Sequence, residues 1–286
     1  MGVRLPRLGG RAVAAGAGWT ENASTGGQLV PWDELWRARG LILMFALRDL
    51  RVRYKQAALG VAWVVIQPVF TVVAFTAVFD RLVDVPSAGL PYPVFALAGL
   101  LAWTYLTACI SRGSEVLVNT PALVEKVYFP RLIAPLASLL PPLVDLLVGL
   151  VLLAGLCLAY GVVPGPQLLL LPVWLALLML TALGIVCALA ALNVRYRDVR
   201  QVVTPALQVL LLVSPVAYSY STVDGTAGLL IALNPVVGAL ELGRWVLIGA
   251  DWPGWPLLVS LGSCLVVALG GVLYFQRAQR SFADVI

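Results

Sequence analysis

The sequence predicts an all-α polytopic membrane protein: six transmembrane helices, with an N-terminal interfacial amphipathic helix and a short re-entrant outer hairpin before the last span. Three observations predict it. Only 12% of the 286 residues are charged while 61% are hydrophobic, and a soluble globular chain carries roughly 25% charge. Half that charge cannot cover a water-facing surface, so lipid is the solvent for most of the chain. Six runs reach the ~20 apolar residues that cross ~30 Å of hydrocarbon. Lysine and arginine then concentrate on alternate sides of those runs.

Residues 1–31 combine Arg4, Arg7 and Arg11 with many Gly, Ala, Ser and Thr. No apolar core of signal-peptide length follows the arginines, and the composition predicts a disordered cytosolic tail. Residues 32–55 place Trp32, Leu35, Trp36, Leu43, Leu47, Leu50 and Tyr54 roughly on one helical face, with Arg37, Arg39, Arg48, Arg51, Arg53 and Lys55 around the rest. A helix divided this way lies in the membrane interface; an ordinary juxtamembrane basic cluster is the simpler alternative.

The spans follow at about 57–79, 92–111, 132–160, 168–192, 201–219 and 256–276. The third is long enough to tilt, or to kink at Pro135, Pro141 and Pro142. Residues 225–250 are apolar but divided by Asn234-Pro235. Neither half reaches spanning length, which predicts a re-entrant or interfacial hairpin on the outer face. On its second half Glu241 and Arg244 stand three apart and can pair. Trp245, Trp252 and Trp255 suit the headgroup level.

The segments between these runs divide the Lys and Arg residues seventeen to two. Six spans with both termini in the cytosol fit that division, whereas an odd number would split the charge. Residues 277–286 are then a cytosolic C-terminal tail.

Several chemistries are excluded. There is no histidine, so the commonest general base, proton shuttle and metal ligand is absent. Cys109, Cys157, Cys187 and Cys264 lie singly in apolar runs, as small apolar filler rather than metal ligands or disulfide partners. The two lysines, Lys55 and Lys126, do not follow a glycine, so there is no phosphate-cradling Gly-Lys-Ser/Thr loop and the chain cannot be its own P-loop ATPase. No cofactor or metal is expected in this chain, and no nucleic-acid partner. Asp145 is the one acid near mid-span. At the bilayer centre it costs about 2.5–3.5 kcal/mol on insertion scales, so it must face protein, water or a partner. It is read as a hydrogen-bond acceptor at a helix crossing; proton coupling is the alternative.

The stretch Ser111 to Leu132 between the second and third spans is the most informative. Asn119-Thr120-Pro121 is a helix start, with an N-cap candidate and proline in the first turn. Ala122 to Phe129 then forms a short amphipathic helix that ends at Pro130. Such a helix suits docking into a groove on a soluble partner, or simply connects two spans.

Four separated motifs, in order, carry a family resemblance. LRDLRVRYKQAALGVAWVVIQPV (47–69), KVYFPRLIAPLAS (126–138), VRYRDVRQVVTPALQVLLLVSPVAYS (194–219) and NPVVGALELGRW (234–245) resemble the type-2 ABC exporter permeases of the polysaccharide, O-antigen and teichoic-acid (polyol phosphate) export family. The resemblance covers about 35–286. It implies that 56–276 is a type-2 ABC transmembrane domain in the bacterial inner membrane, functioning as a homodimer. Two copies of a separate nucleotide-binding subunit would carry ATP and Mg. Pro121, Leu123, Glu125, Lys126, Tyr128, Phe129 and Arg131 would form the ATPase-coupling segment. The substrate would be an undecaprenyl-type lipid-linked glycan: O-antigen, capsule or galactan, or teichoic acid.

The physical chemistry of that cargo selects candidates. A pyrophosphate headgroup favours the basic interface residues Arg48, Arg51, Arg53 and Lys55. A glycan slides best along aromatic walls, and Trp63, Phe70, Phe75, Trp103, Tyr105, Tyr218 and Tyr220 are the channel candidates, each equally readable as a lipid-facing or core aromatic. The family resemblance further implies that the short helices at 225–250, with Asn234, Pro235, Glu241 and Arg244, would gate the outer end. Two rival classes remain: a polyprenyl-phosphate-linked membrane glycosyltransferase or acyltransferase, which would need a cluster of acids or a histidine, and a proton-coupled flippase working through Asp145.

Overall fold

The protein is described here by a computed structural model covering residues 32–55, 62–83, 85–87, 89–119, 130–223, 225–279 and 282. Within these residues the regular structure is helical. The helices are α1 (Trp32–Arg37), α2 (Arg39–Lys55), α3 (Ala62–Phe75), α4 (Tyr92–Gly113), α5 (Ile133–Ser138), α6 (Leu140–Tyr160), α7 (Leu171–Arg195), α8 (Val199–Val213), α9 (Gly225–Ala232), α10 (Pro235–Ile248) and α11 (Pro256–Ala278). Residues 1–31, and with them the predicted tail, lie outside the described residues.

Five helical stretches are long and apolar enough to cross a membrane: Ala62–Asp80, Tyr92–Gly113, Ile133–Tyr160, Pro166–Arg195 and Pro256–Ala278. They match five of the six predicted runs, with shifted ends. The exception is the run 201–219. Its helix, α8, stops at Val213 after 15 residues, too short to cross alone. The cause is local. Ser214 precedes Pro215, whose ring excludes the helical region for the residue before it, and Ser214 is accordingly extended at φ −81°, ψ 144°. The helices α9 and α10 bend by 93° across Leu233-Asn234, as a broken span or a re-entrant loop does. This break is the one expected from Asn234-Pro235.

The third run is also more divided than a single span. Leu139 separates α5 from α6, which restarts with Pro141 and Pro142 in its first turn, where a missing N–H costs nothing. Asp145 stands in the second turn of α6 and near the middle of the whole stretch Ile133–Tyr160, as expected. The first span ends in a π-helical segment, Thr76–Asp80.

The core is built around α4. Of its most apolar stretch, 78% is buried inside the chain, against 11% for the stretch through α3. Around α4 pack α6, α7 and α10. The closest crossing joins α7 and α11: a Cβ at Gly271 would lie 2.0 Å from the Gly184 carbonyl oxygen, and one at Gly184 would lie 2.5 Å from Ala268 Cα. Small residues at such a crossing let two backbones touch. All four cysteines are free and buried, as the filler reading expected.

Before the bundle, α2 packs on α5 and α6. The side that does so carries buried Ala46 and half-buried Ile42, Phe45, Asp49 and Arg53. Of the apolar face named from the sequence, Trp36, Leu43 and Leu47 are exposed, Leu50 is half-buried and Leu35 is buried.

Candidate functional site

One end of the bundle gathers most of the cations in the described residues. Here the last turns of α4, α7 and α11 carry Arg112, Arg195 and Arg277. The connections are tied together. Asn193 Nδ2 donates to the Ser114 carbonyl at 2.9 Å, and Arg200 approaches Glu115 at 3.9 Å. Arg131 donates from Nη1 to the Gln279 carbonyl and lies over the Phe282 ring, 5.7 Å from its centroid. Of the predicted coupling residues, only Arg131 is described, and it fastens this end of α11. Pro121, Leu123, Glu125, Lys126, Tyr128 and Phe129 lie outside the described residues.

The four headgroup candidates on α2 separate into different environments. Arg53 donates from Nη1 to Asp145 Oδ2 and forms an ion pair with it. Arg48 pairs with its neighbour Asp49 at 2.9 Å. Arg51 and Lys55 are exposed. The Arg53–Asp145 pair explains how a carboxylate is kept in an apolar helix: its charge is matched by an arginine reaching in from α2. This agrees with the structural role read for Asp145. The pair stands at a cavity of about 270 Å³ whose walls include Trp63, Gln67, Thr104 and Tyr105.

The opposite end holds the second polar centre, built where α8 breaks. Residues 214–219 leave the helix, and their carbonyls need partners wherever water is excluded. Arg244, from α10, supplies partners for two of them. Its side chain has no exposed surface. Nη2 donates to the Val216 carbonyl at 2.6 Å, and Nη1 donates to the Tyr218 carbonyl at 3.2 Å. The carbonyl between them, Ala217, accepts from Tyr92 Oη at 3.0 Å. Glu241, one turn before Arg244, accepts from Nη1 at 2.7 Å and neutralises the guanidinium. The guanidinium also stacks on Phe95, with Cζ 3.9 Å from the ring centroid, a favourable cation–π geometry.

Gly99 is required beside this cluster. A Cβ there would stand 2.7 Å from Arg244 Nη2 and 3.0 Å from the Val216 carbonyl oxygen. At the head of α10, Asn234 caps the helix by accepting from the Val236 N–H at 3.0 Å, and its Nδ2 donates to Ser214 Oγ at 2.9 Å. Ser260 of α11 donates to the Asn234 carbonyl and accepts from the Gly238 N–H. Trp174 Nε1 donates to the Ala239 carbonyl at 2.8 Å. Two interrupted helices are thus held by side chains from α4, α7 and α11.

The chain has known relatives. The family model for ABC-2 type transporters matches residues 41–248, from α2 through α10. The chain belongs to the ABC-2 type transporter family. It is similar to the O-antigen export system permease protein RfbA of Myxococcus xanthus, 27% identical over 258 residues that cover 88% of this chain and 98% of that protein. It is also similar to an RfbA of Klebsiella pneumoniae, 20% identical over 255 residues covering 86% and 95%.

In this ABC-2 chain the aromatic candidates do not form one wall. Trp63 and Phe70 are exposed on α3, at 51% and 72%. Phe75 is half-buried and stacks on Phe79 with centroids 5.3 Å apart. Trp103 and Tyr105 are buried in the α4 core, and Tyr105 Oη donates to the Leu139 carbonyl at 3.3 Å, so these two are packing residues within the chain. Tyr218 and Tyr220 belong to the break: their hydroxyls donate to the Val213 and Gly228 carbonyls. The sequence reading found Asn234, Pro235, Glu241 and Arg244 but not their partners Tyr92, Phe95, Gly99, Trp174 and Ser260. The one available signal was Ser214-Pro215, which marks where a helix must stop and carbonyls must be recaptured.

Proposed function

We propose that the chain is the membrane-spanning permease subunit of an ATP-driven exporter that moves a lipid-linked polysaccharide of the O-antigen type out of the cytoplasm. The carrying observation is its similarity, over nearly the full length of both chains, to permeases named for O-antigen export, in a chain with no phosphate-binding loop of its own. ATP and Mg then belong to a separate nucleotide-binding subunit, two copies of which serve a homodimer of this chain.

The cationic end faces the cytoplasm, as the distribution of Lys and Arg requires, and both termini lie there. The segment 121–131 meets the ATPase at that face. Arg48, Arg51 and Lys55 receive the pyrophosphate of an undecaprenyl-type carrier, and exposed Trp63 and Phe70 face the path of the glycan. Arg53 is placed otherwise than its neighbours: bound to Asp145, it anchors α2 to the bundle. The break around Arg244 lies toward the outer leaflet and holds the half-helices that close the exit.

Deleting the gene tests this reading. Surface polysaccharide should disappear and lipid-linked glycan should accumulate inside the cell. Unchanged surface polymer with no internal accumulation would refute it. Within the permease, Arg51→Ala combined with Lys55→Ala should lower export while the assembled complex survives purification. Full export by that assembled variant would remove the headgroup assignment alone.

A further inference from the structure

The looseness of α3 is not uniform. Beside its first half lies the cavity of about 270 Å³ at Arg53 and Asp145. Beside its second half lies another of about 400 Å³, walled by α3, α4 and α6. The two meet at Pro68 and Leu97. Together they form a groove along the helix, of the size that takes a ligand of several hundred Å³.

The far cavity carries an ordered set of chemistries. Its middle is hydrocarbon, with Val69, Val72, Leu152 and Leu156. Toward the end of the span comes Thr76, whose Oγ1 is fully buried and has no hydrogen-bond partner. A buried hydroxyl without a partner is unfavourable, so a polar atom from a ligand would be accommodated there favourably. At the mouth stand Arg81 and half-exposed Tyr160. The π-helical segment links these features, since the Arg81 N–H donates five residues back to the Thr76 carbonyl at 3.3 Å. Such π segments recur at functional sites.

Arg81 is also out of pattern. The connections 81–91, 161–165, 214–224 and 249–255 hold one cation between them, Arg81, and it makes no ion pair among the described residues. Topology does not ask for an arginine at this end of the bundle.

We propose that this groove is a binding site for one anionic glycerophospholipid of the surrounding bilayer. Its phosphate pairs with Arg81, an ester carbonyl accepts from Thr76 Oγ1, and an acyl chain lies along Val72, Leu152 and Leu156 toward Pro68. The order phosphate, ester, hydrocarbon in the lipid is the order arginine, threonine, aliphatic in the groove. The lipid thereby supplies packing that α3 lacks from its own chain.

The test uses the full chain in mild detergent, equilibrated with equal phosphatidylglycerol and phosphatidylcholine and read by native mass spectrometry. The intact chain should retain phosphatidylglycerol in preference. Arg81→Gln should reduce its retention about five-fold, from ~1 kcal/mol per interfacial cation. Thr76→Val, nearly isosteric, should reduce it about three-fold. Arg195→Gln at the other end should leave it unchanged. Equal retention of the two lipids, or an unaltered preference in Arg81→Gln, overturns the proposal. So does efficient disulfide cross-linking of two copies through Val73→Cys, which would put a second chain in the groove.

Discussion

The helices α3 and α4 are neighbours of similar apolar character, and the fold treats them oppositely. Four-fifths of α4 is sealed inside the chain, while α3 keeps only Val64 and Val72 fully buried. The difference lies in what each helix must hold. Next to α4 the chain breaks α8 and then recaptures its free carbonyls with Arg244 and Tyr92. The guanidinium that makes this repair is buried together with its counter-charge. Beside α3 no backbone is broken except the π turn, so cavities and an exposed outer face can remain. Permanent structure is thus concentrated around the interrupted helices, and adjustable contact around α3.

The sharpest way to break this comparison is Arg244→Leu. It leaves Glu241 buried without its cation and frees the Val216 and Tyr218 carbonyls. Loss of one partner of a buried pair costs about 3–5 kcal/mol, so the purified variant should aggregate or melt far below the parent by fluorescence-detected size-exclusion. Removing the acid as well, Glu241→Gln with Arg244→Leu, should recover only part of this, because the carbonyls remain unpaired. Full recovery would mean that the charge, and not the broken backbone, governs the site.

Gly99→Val comes next. Its added atoms meet a pinned guanidinium and a backbone carbonyl rather than a movable side chain, and overpacking of this kind costs about 1–3 kcal/mol. The same thermal assay should place it between Arg244→Leu and the parent. Asp145→Asn should have less effect. Both partners of the Arg53 pair are about one-quarter exposed, so the pair contributes no more than about 1 kcal/mol. Its signature is local: faster proteolysis or hydrogen exchange in α2, with the bundle unchanged. Phe70→Ala on the exposed face of α3 should move the melting of the isolated chain least, within about 0.5 kcal/mol. A large loss there would show that α3 is packed after all.

Much of this was legible from residue order. The helical class, five of the runs, the break at Asn234-Pro235 and the Glu241–Arg244 pair follow from hydropathy, proline chemistry and helical spacing. These are short-range properties, carried by residues a turn or two apart. Other features were not legible because they depend on which surfaces meet. Trp63 and Trp103 look alike in the sequence as span aromatics, yet one is exposed and the other buried. Arg51 and Arg53 look like two members of one basic cluster, but only Arg53 lies on the side of α2 that reaches Asp145, 92 residues away. The run 201–219 was read whole because the composition stays apolar through Ser214-Pro215, where the backbone nevertheless leaves the helix.

By itself the sequence determined that this chain lives in lipid, that it is helical, that the chain breaks at Asn234-Pro235 and which segments carry the cations. Each of these is set by local sterics or by the cost of moving a side chain from water to hydrocarbon. The tertiary structure alone decided which apolar helix became the centre, which arginine found the lone acid of α6, and which side chains close the wound in α8. In lipid every apolar face is equally well solvated, so hydropathy cannot rank the helices for burial. Close backbone approach at glycine, and the need to pair every stranded carbonyl, make that choice.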